Sequence, residues 1–122
     1  MTARILVCGG RDFSDEDIVF AALDGHVRHG DIIIQGGAPG ADRLAREWCH
    51  QRRCRYENYP ADWRAHGRAA GPIRNQQMID EGRPAKAIAF PGGRGTADMV
   101  RRARAAGIPV FEFFPTPETR NA

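Results

Sequence analysis

The sequence predicts a small three-layer α/β domain built on a five-stranded parallel sheet. Short apolar runs rich in β-branched residues alternate with segments of helical apolar spacing along the whole chain. This alternation is typical of parallel strands joined by right-handed crossovers, with helices on both faces of the sheet. The 122 residues suffice for one hydrophobic core but not for two. We therefore expect one domain over residues 1–114, followed by a mobile tail over residues 115–122.

Five apolar runs predict the strands. The isoleucines of the second run are not interrupted by polar residues, which is typical of a strand that is buried on both faces. The third run is weaker and ends at a proline. The predicted strands span residues 4–8, 31–35, 56–59, 86–90 and 109–113.

Helices are expected between the strands, because apolar residues recur there three and four positions apart. Ser14 and the acidic residue three positions later form a helix-start signal, and Gly30 is expected to end this first helix. The second helix follows the segment GGAPGAD. The third begins at Pro72, a residue suited to the first helical position, and the fourth spans residues 95–106. Residues 60–71 are expected to form a long loop, a kind of segment that often acts as a lid.

The composition is that of an ordinary globular protein, with 42% hydrophobic and 27% charged residues. No apolar run is long enough to span a bilayer, and no leader-like segment opens the chain, so we expect a cytoplasmic protein. Three cysteines argue against a disulfide framework, and neither a metal site nor a cofactor is expected. The net charge of +3 comes from scattered arginines, which form no continuous stripe for nucleic acid.

Three glycine-rich turns predict a ligand site at one edge of the sheet. Their sequences, GGRDF, GGAPGAD and PGGRGT, follow the first, second and fourth strands. A strand order of 3-2-1-4-5 makes these strands neighbours, so that the turns line one crevice at the carboxyl ends of the strands. The order 2-1-3-4-5, which we rank second, separates the first strand from the fourth. Glycine lets the backbone approach a ligand closely, and the last two turns lead into helices whose first amides suit a phosphate.

Polar side chains on or beside these turns are the candidate ligand contacts. Trp63 either stacks on a base or sugar or holds the loop against the core. Arg74, at the start of a predicted helix, needs a countercharge, either a ligand phosphate or a carboxylate such as Asp12. Asp42 has helix capping as its ordinary explanation. The predicted ligand-binding residues are Gly9, Gly10, Arg11, Asp12, Gly36, Gly37, Gly40, Asp42, Trp63, Arg74, Asn75, Pro91, Gly92, Gly93, Arg94, Gly95 and Thr96.

Four motifs together resemble those of the SLOG superfamily. They are CGGRDF, GGAPGAD, AGPIRNQQM and PGGRGTADM, and the resemblance extends over residues 5–113. It is strongest to the YspA-type branch, related to cpYpsA, and more distant to the lonely-guy phosphoribohydrolases and DNA-processing protein A. The resemblance implies a Rossmann-like fold, a nucleotide-derived ligand such as a nucleoside monophosphate or ADP-ribose, and a homo-oligomer, expected to be a dimer.

In the phosphoribohydrolases, the motif PGGxGTxxE supplies a glutamate that acts with an upstream arginine to cleave the base–ribose bond. Arg74 matches that arginine, whereas the glutamate position falls on Met99. Asp98, one residue earlier, is the first candidate for a catalytic substitute, with Asp42 and Asp12 as further carboxylates at the same edge. An ion pair between Asp98 and the arginines that follow it in the helix is the alternative explanation.

Three functions remain open from the sequence. The first is binding of a phosphoribosyl compound, for sensing or sequestration, without turnover. The second is hydrolysis of an N-glycosidic bond in such a compound, and the third is a nucleic-acid-binding module. The missing glutamate favours the first over the second, and the scattered arginines place the third last.

Overall fold

The computed structural model describes residues 2–115. Its five strands form one parallel sheet in the order β3-β2-β1-β4-β5, so the predicted α/β class and strand order are confirmed. The strands are β1 (Arg4–Cys8), β2 (Ile32–Gln35), β3 (Arg55–Asn58), β4 (Lys86–Ala89) and β5 (Val110–Glu112).

Helices cover both faces of this sheet. One core cluster contains side chains from the two helices that precede β3, such as Leu23 and Trp48, and the other contains side chains from the last two helices, such as Met78 and Met99. Residues of the central strand alternate between the two clusters, as the two-residue period of a strand requires. The helices are α1 (Glu16–His26), α2 (Ala41–Arg52), α3 (Trp63–His66), α4 (Ala70–Asp80) and α5 (Arg94–Ala105), with a 3₁₀ turn at Gly67–Ala69.

The first helix starts and ends at residues other than those predicted. Asp15, not Ser14, is the N-cap, because its Oδ1 accepts a hydrogen bond from the amide of Ile18 at 3.2 Å. The helix ends at His26, well before Gly30. A carboxylate at the N-cap also interacts favourably with the helix dipole, which explains why the cap falls on the aspartate.

The prediction of a long loop after β3 is wrong. Asp62 caps α3 by accepting a hydrogen bond from the amide of Ala65 at 3.0 Å, and the 3₁₀ turn then leads directly into α4. Pro72 lies two residues inside α4, within the first turn, where an amide proton has no intrahelical acceptor. This segment therefore forms a helical wall instead of an extended lid.

The end of the predicted tail, residues 116–122, lies outside the described residues, so the division of the chain into a domain and a tail stays a prediction. Within residues 2–115, no helix has both the length and the apolar character needed to cross a membrane.

Candidate ligand-binding cleft

A cleft of about 1200 Å³ lies at the carboxyl ends of the strands. All three glycine-rich turns contribute to its lining, together with α3, α4 and the beginning of α5. The cleft adjoins β1 and β4, where the strand order reverses, which is the usual ligand position in an open parallel sheet. Its volume exceeds the range of about 300–1,000 Å³ that is typical of small-molecule pockets, so a ligand of nucleotide size fits.

The turn after β1 connects the other two turns. The amide of Gly10 donates a hydrogen bond to the carbonyl oxygen of Pro91 at 2.8 Å, and the carbonyl oxygen of Gly10 accepts one from the amide of Ala41 at 3.1 Å. A Cβ on Gly9 would lie 2.5 Å from the Cβ of Ala41, and a Cβ on Gly10 would lie 2.8 Å from the Pro91 oxygen. These two glycines are therefore required for the close approach of the three turns.

The turn after β2, residues 36–42, is called here the β2 turn. Its first three amides donate within the protein: those of Gly36 and Ala38 to Oδ2 of Asp42 at 3.1 and 3.2 Å, and that of Gly37 to Oε1 of Gln35 at 2.6 Å. These amides are already paired and cannot form a phosphate cradle.

Asp42 holds this turn through the two hydrogen bonds that its Oδ2 accepts, and it is only 7% exposed. It is not a helix cap, since Gly40 holds the N-cap position of α2. Burial raises the pKa of Asp42 to about 6, against the opposing effects of the two backbone hydrogen bonds and the Arg74 charge. Asp42 is therefore a carboxylate with a raised pKa on the wall of the cleft.

The turn after β4, residues 91–96, is called here the β4 turn, and its amides are open. Within residues 2–115, the amides of residues 92–96 make no hydrogen bond, and no side chain caps α5. Added Cβ atoms on Gly93 and Gly95 would meet nothing within 4 Å. Neither glycine has a positive φ, so both serve to leave space above the helix terminus. Unpaired amides at the positive end of a helix dipole are a ready anion site.

Arg74 faces this cleft from α4 as a partly buried cation. Its Nη1 donates to the carbonyl oxygens of Gly36 and Tyr59 at 3.0 and 3.1 Å, and its Nε donates to Asn75 Oδ1 at 3.1 Å. Within the described residues, Nη2 makes no hydrogen bond and no carboxylate lies within 4.0 Å of the guanidinium. Burial lowers the pKa of Arg74, and the charge of Asp42 opposes that shift. The carboxylate that acts on Arg74 is thus Asp42 and not Asp12, which was the example given beside a ligand phosphate.

Asn75, on α4, forms side-chain hydrogen bonds to α5. Its Nδ2 donates to the carbonyl oxygen of Gly95 at 3.2 Å and to Oδ2 of Asp98 at 3.0 Å, while its Oδ1 accepts from Arg74. The side chain is 5% exposed and its polar atoms are paired. Asn75 therefore orients Arg74 relative to the β4 turn. Its predicted contact with a ligand stays a prediction.

Asp98 has both carboxylate oxygens occupied. Oδ1 pairs with Arg101, and Oδ2 accepts from Arg102 Nε at 2.8 Å as well as from Asn75. Burial favours the neutral acid, but the hydrogen bonds from Arg102 and Asn75 and the charges of both arginines hold the pKa of Asp98 below its ordinary value. The ion-pair explanation accounts for Asp98, whose predicted catalytic role stays a prediction.

The charged lining of the cleft is predominantly cationic. One of the acidic groups, Asp98, is already neutralised by its arginine partners, so the remaining balance favours an anionic ligand. The lining includes the arginines Arg11, Arg68, Arg74, Arg94 and Arg101 and the carboxylates Asp12, Asp42 and Asp98.

Trp63 belongs to α3 and presents its indole to the cleft. It is 54% exposed, and a Cβ on Gly71 would lie 3.4 Å from the edge of its ring. Contact with the core therefore does not account for this side chain. An exposed indole on the wall of a cleft suits stacking on a base or sugar.

Most, but not all, of the predicted site residues line the cleft. Gly37 and Gly40 do not. Gly40 instead has a φ of 77° and approaches the backbone of Gly10 and Arg11. Lining residues that the sequence reasoning missed include Phe13, Ala38, Arg68, Gly71 and Arg101. For Arg68 and Gly71, the signal that could have found them is the helical start at Asp62, which turns this segment toward the site.

The comparisons with known proteins agree with this architecture. The chain belongs to the YspA, cpYpsA-related SLOG family, whose model matches residues 3–66. That match includes the turns after β1 and β2, and the β4 turn lies beyond it. The resemblance seen in the sequence motifs is thereby confirmed. Membership of this family favours a small, nucleotide-derived molecule as the ligand, whether bound or processed.

Two individual proteins are similar over most of the chain. The gene 61 protein of Mycobacterium phage D29 is 37% identical over 124 residues, covering 93% of this chain and 98% of that protein. The X-ray structure of TM1055 superposes with a TM-score of 0.70 at 17% identity, covering 88% of this chain and 72% of TM1055. The second likeness shows the fold alone.

Proposed function

We propose that the protein binds a nucleotide-derived phosphoribosyl compound, such as a nucleoside monophosphate or ADP-ribose, in order to sense or sequester it. The ligand phosphate lies on the open amides of the β4 turn, beside Arg74. The base or sugar lies toward the exposed indole of Trp63. Family membership supports the ligand class, and the cationic lining supports an anion.

The observation that carries this proposal is that the partly buried guanidinium of Arg74 has no carboxylate partner within residues 2–115. A guanidinium loses hydration on burial, and a carboxylate in direct contact usually offsets that cost. Arg74 is partly buried without such a contact among residues 2–115, and its Nη2 is unpaired. A phosphate in the cleft would supply the missing charge and accept from Nη2.

Two features favour binding over turnover. Met99, at the family's glutamate position, is 2% exposed and packs in the core with Met78 and Val100. Asp98 is ionised and saturated by donors, so it is poorly suited to transfer a proton. A positioned acid or base contributes about 10²–10⁴-fold to such a reaction, and the surroundings of these two residues disfavour that role for either of them.

Replacement of Arg74 tests the proposal. Loss of a charge-assisted hydrogen bond removes about 1.5–3 kcal/mol, so Arg74→Ala should weaken binding of AMP or ADP-ribose by roughly 10- to 150-fold. Isothermal titration calorimetry measures the affinity. Since Nη1 also holds two carbonyl oxygens, Arg74→Gln, which keeps an amide donor without the charge, separates loss of charge from loss of support.

Arg43→Ala on α2 is the matched control, because within residues 2–115 Arg43 pairs only with the exposed Glu47 and does not line the cleft. Equal affinities for the wild type and both Arg74 variants would refute the role of Arg74. Chromatography for free base after incubation with nucleoside monophosphates tests turnover, and release above the protein-free rate would identify a hydrolase instead. The homodimer and the cytoplasmic location stay predictions, tested by light scattering and cell fractionation.

A further inference from the structure

Asp42 offers one carboxylate oxygen to the cleft. Its Oδ2 is held by the amides of Gly36 and Ala38, whereas its Oδ1 makes no hydrogen bond within residues 2–115. In the same part of the chain, no buried side-chain oxygen or nitrogen is left without a partner. Oδ1 is therefore accessible, and Asp42 lines the cleft. A side chain that is nine-tenths buried thus presents a free acceptor to the cleft.

Asp42 lies beside Arg74, whose guanidinium faces the same cleft. A Cβ on Gly36 would meet Asp42 Oδ2 at 3.1 Å and would collide with the guanidinium of Arg74, so the two charged groups flank one glycine. A carboxylate repels a phosphate but accepts strongly from a hydroxyl group. The β2 turn therefore suits an uncharged, hydroxyl-bearing part of the ligand, while the open amides of the β4 turn suit the phosphate.

We propose that Asp42 is a specificity-determining residue that accepts a hydrogen bond from a ribose hydroxyl. The cleft then selects ribose phosphates over their deoxy analogues. This inference rests on the proposed function, because it requires a phosphoribosyl ligand with its phosphate at the β4 turn. Removing the hydroxyl leaves a buried acceptor unpaired, which should cost about 10- to 150-fold in affinity.

The test uses sugar phosphates that carry no base. The wild type and Asp42→Asn are each titrated with ribose 5-phosphate, 2-deoxyribose 5-phosphate and 3-deoxyribose 5-phosphate. Chemical-shift changes in NMR spectra of the protein give the affinities. The asparagine keeps an oxygen for the amides of Gly36 and Ala38 and places an NH₂ group where Oδ1 stood. The wild type should prefer ribose 5-phosphate over at least one deoxy form by about 10- to 150-fold, and the variant should lose most of that preference.

Glu47→Gln is the matched control, since it removes one negative charge from the same helix outside the cleft, and it should discriminate like the wild type. Thermal unfolding of Asp42→Asn confirms that the fold is retained. If the wild type binds all three sugar phosphates equally, the proposed function stands and the role of Asp42 is overturned. The same conclusion follows if Asp42→Asn discriminates as well as the wild type. If no sugar phosphate binds, the role of Asp42 in selecting ribose is overturned, and titration with AMP and ADP-ribose decides the proposed function separately.

Discussion

The β2 turn and the β4 turn have similar compositions, but the amides that directly follow the strand are paired in the β2 turn and open in the β4 turn. Each follows a parallel strand, contains three glycines and leads into a helix of 12 residues. The β2 turn pairs the amides of Gly36, Gly37 and Ala38 with Asp42 and Gln35, whereas the amides of residues 92–96 in the β4 turn have no acceptor in the described chain. Glycine content alone therefore does not identify an anion site. The side chains that reach back to the turn decide whether its amides remain available.

The largest effect is expected at Gly40, within the paired turn. Its φ of 77° and ψ of −127° form a conformation restricted to glycine, and an added Cβ would overlap the Gly10 carbonyl oxygen. Gly40→Ala should lower the free energy of unfolding by about 3 kcal/mol or more, as measured by urea denaturation. Gly95→Ala in the open turn should change it by less than about 1 kcal/mol. Similar losses at the two sites would erase the distinction between the turns.

A smaller effect, on binding alone, is expected for Gly95→Val. Valine has room at this position and costs little relative to glycine in a helix, but its side chain would occupy the space over the open amides. We expect at least a tenfold loss of affinity for AMP or ADP-ribose, equal to about 1.4 kcal/mol, with unchanged stability. Gly25→Val is the control, because Gly25 lies on α1 with open space around it. Normal binding by a folded Gly95→Val protein would remove the phosphate site from the β4 turn.

A third prediction concerns the charge that the β2 turn encloses. The folded-state pKa of Asp42, about 6, lies above its ordinary value of 3.8, so ionisation of Asp42 destabilises the fold as the pH rises through this range. The groups around it are Arg74, Arg46 and the Cys8 thiol, and the last stays neutral because burial raises its pKa to about 12.

Asp42→Asn should therefore be more stable than the wild type at pH 8, by up to about 1–3 kcal/mol, and the difference should shrink toward pH 4. Urea denaturation across this range measures it, with Glu47→Gln as the control. A stability difference that does not vary with pH would show that Asp42 is not buried as a charge.

Much of the fold was predictable because it depends on local patterns. The apolar runs and helical spacing defined the elements, and three glycine-rich turns on one crevice selected the order 3-2-1-4-5. The segment from Asp62 to Ala70 was missed because it lacks an apolar face: Trp63 is exposed, and Gly67 interrupts the helical pattern. Its only local signal was the N-cap aspartate.

The candidate site was predicted in place but not in detail. The sequence put the three turns and Arg74 together, but it could not show which amides were already paired. The bonds from Gly36 and Ala38 to Asp42 are short-range and of a kind that aspartate commonly makes, so they were accessible in principle. The contacts of Asn75 with Gly95 and Asp98 join separate helices, and only the packed fold brings these residues together.

The central position of β1 has a consequence for the order in which the molecule is completed. Ile5 pairs with Ile33 on one side and with Lys86 on the other, so one edge of β1 stays unpaired until a strand about 80 residues later in the chain has been synthesised. Pairings this distant in sequence form slowly. Until β4 docks, the apolar edge of β1 is open to wrong partners, and the half of the cleft formed by the β4 turn does not yet exist. Ligand added during refolding should therefore stabilise the folded protein against unfolding. It should not accelerate the folding steps that precede the docking of β4.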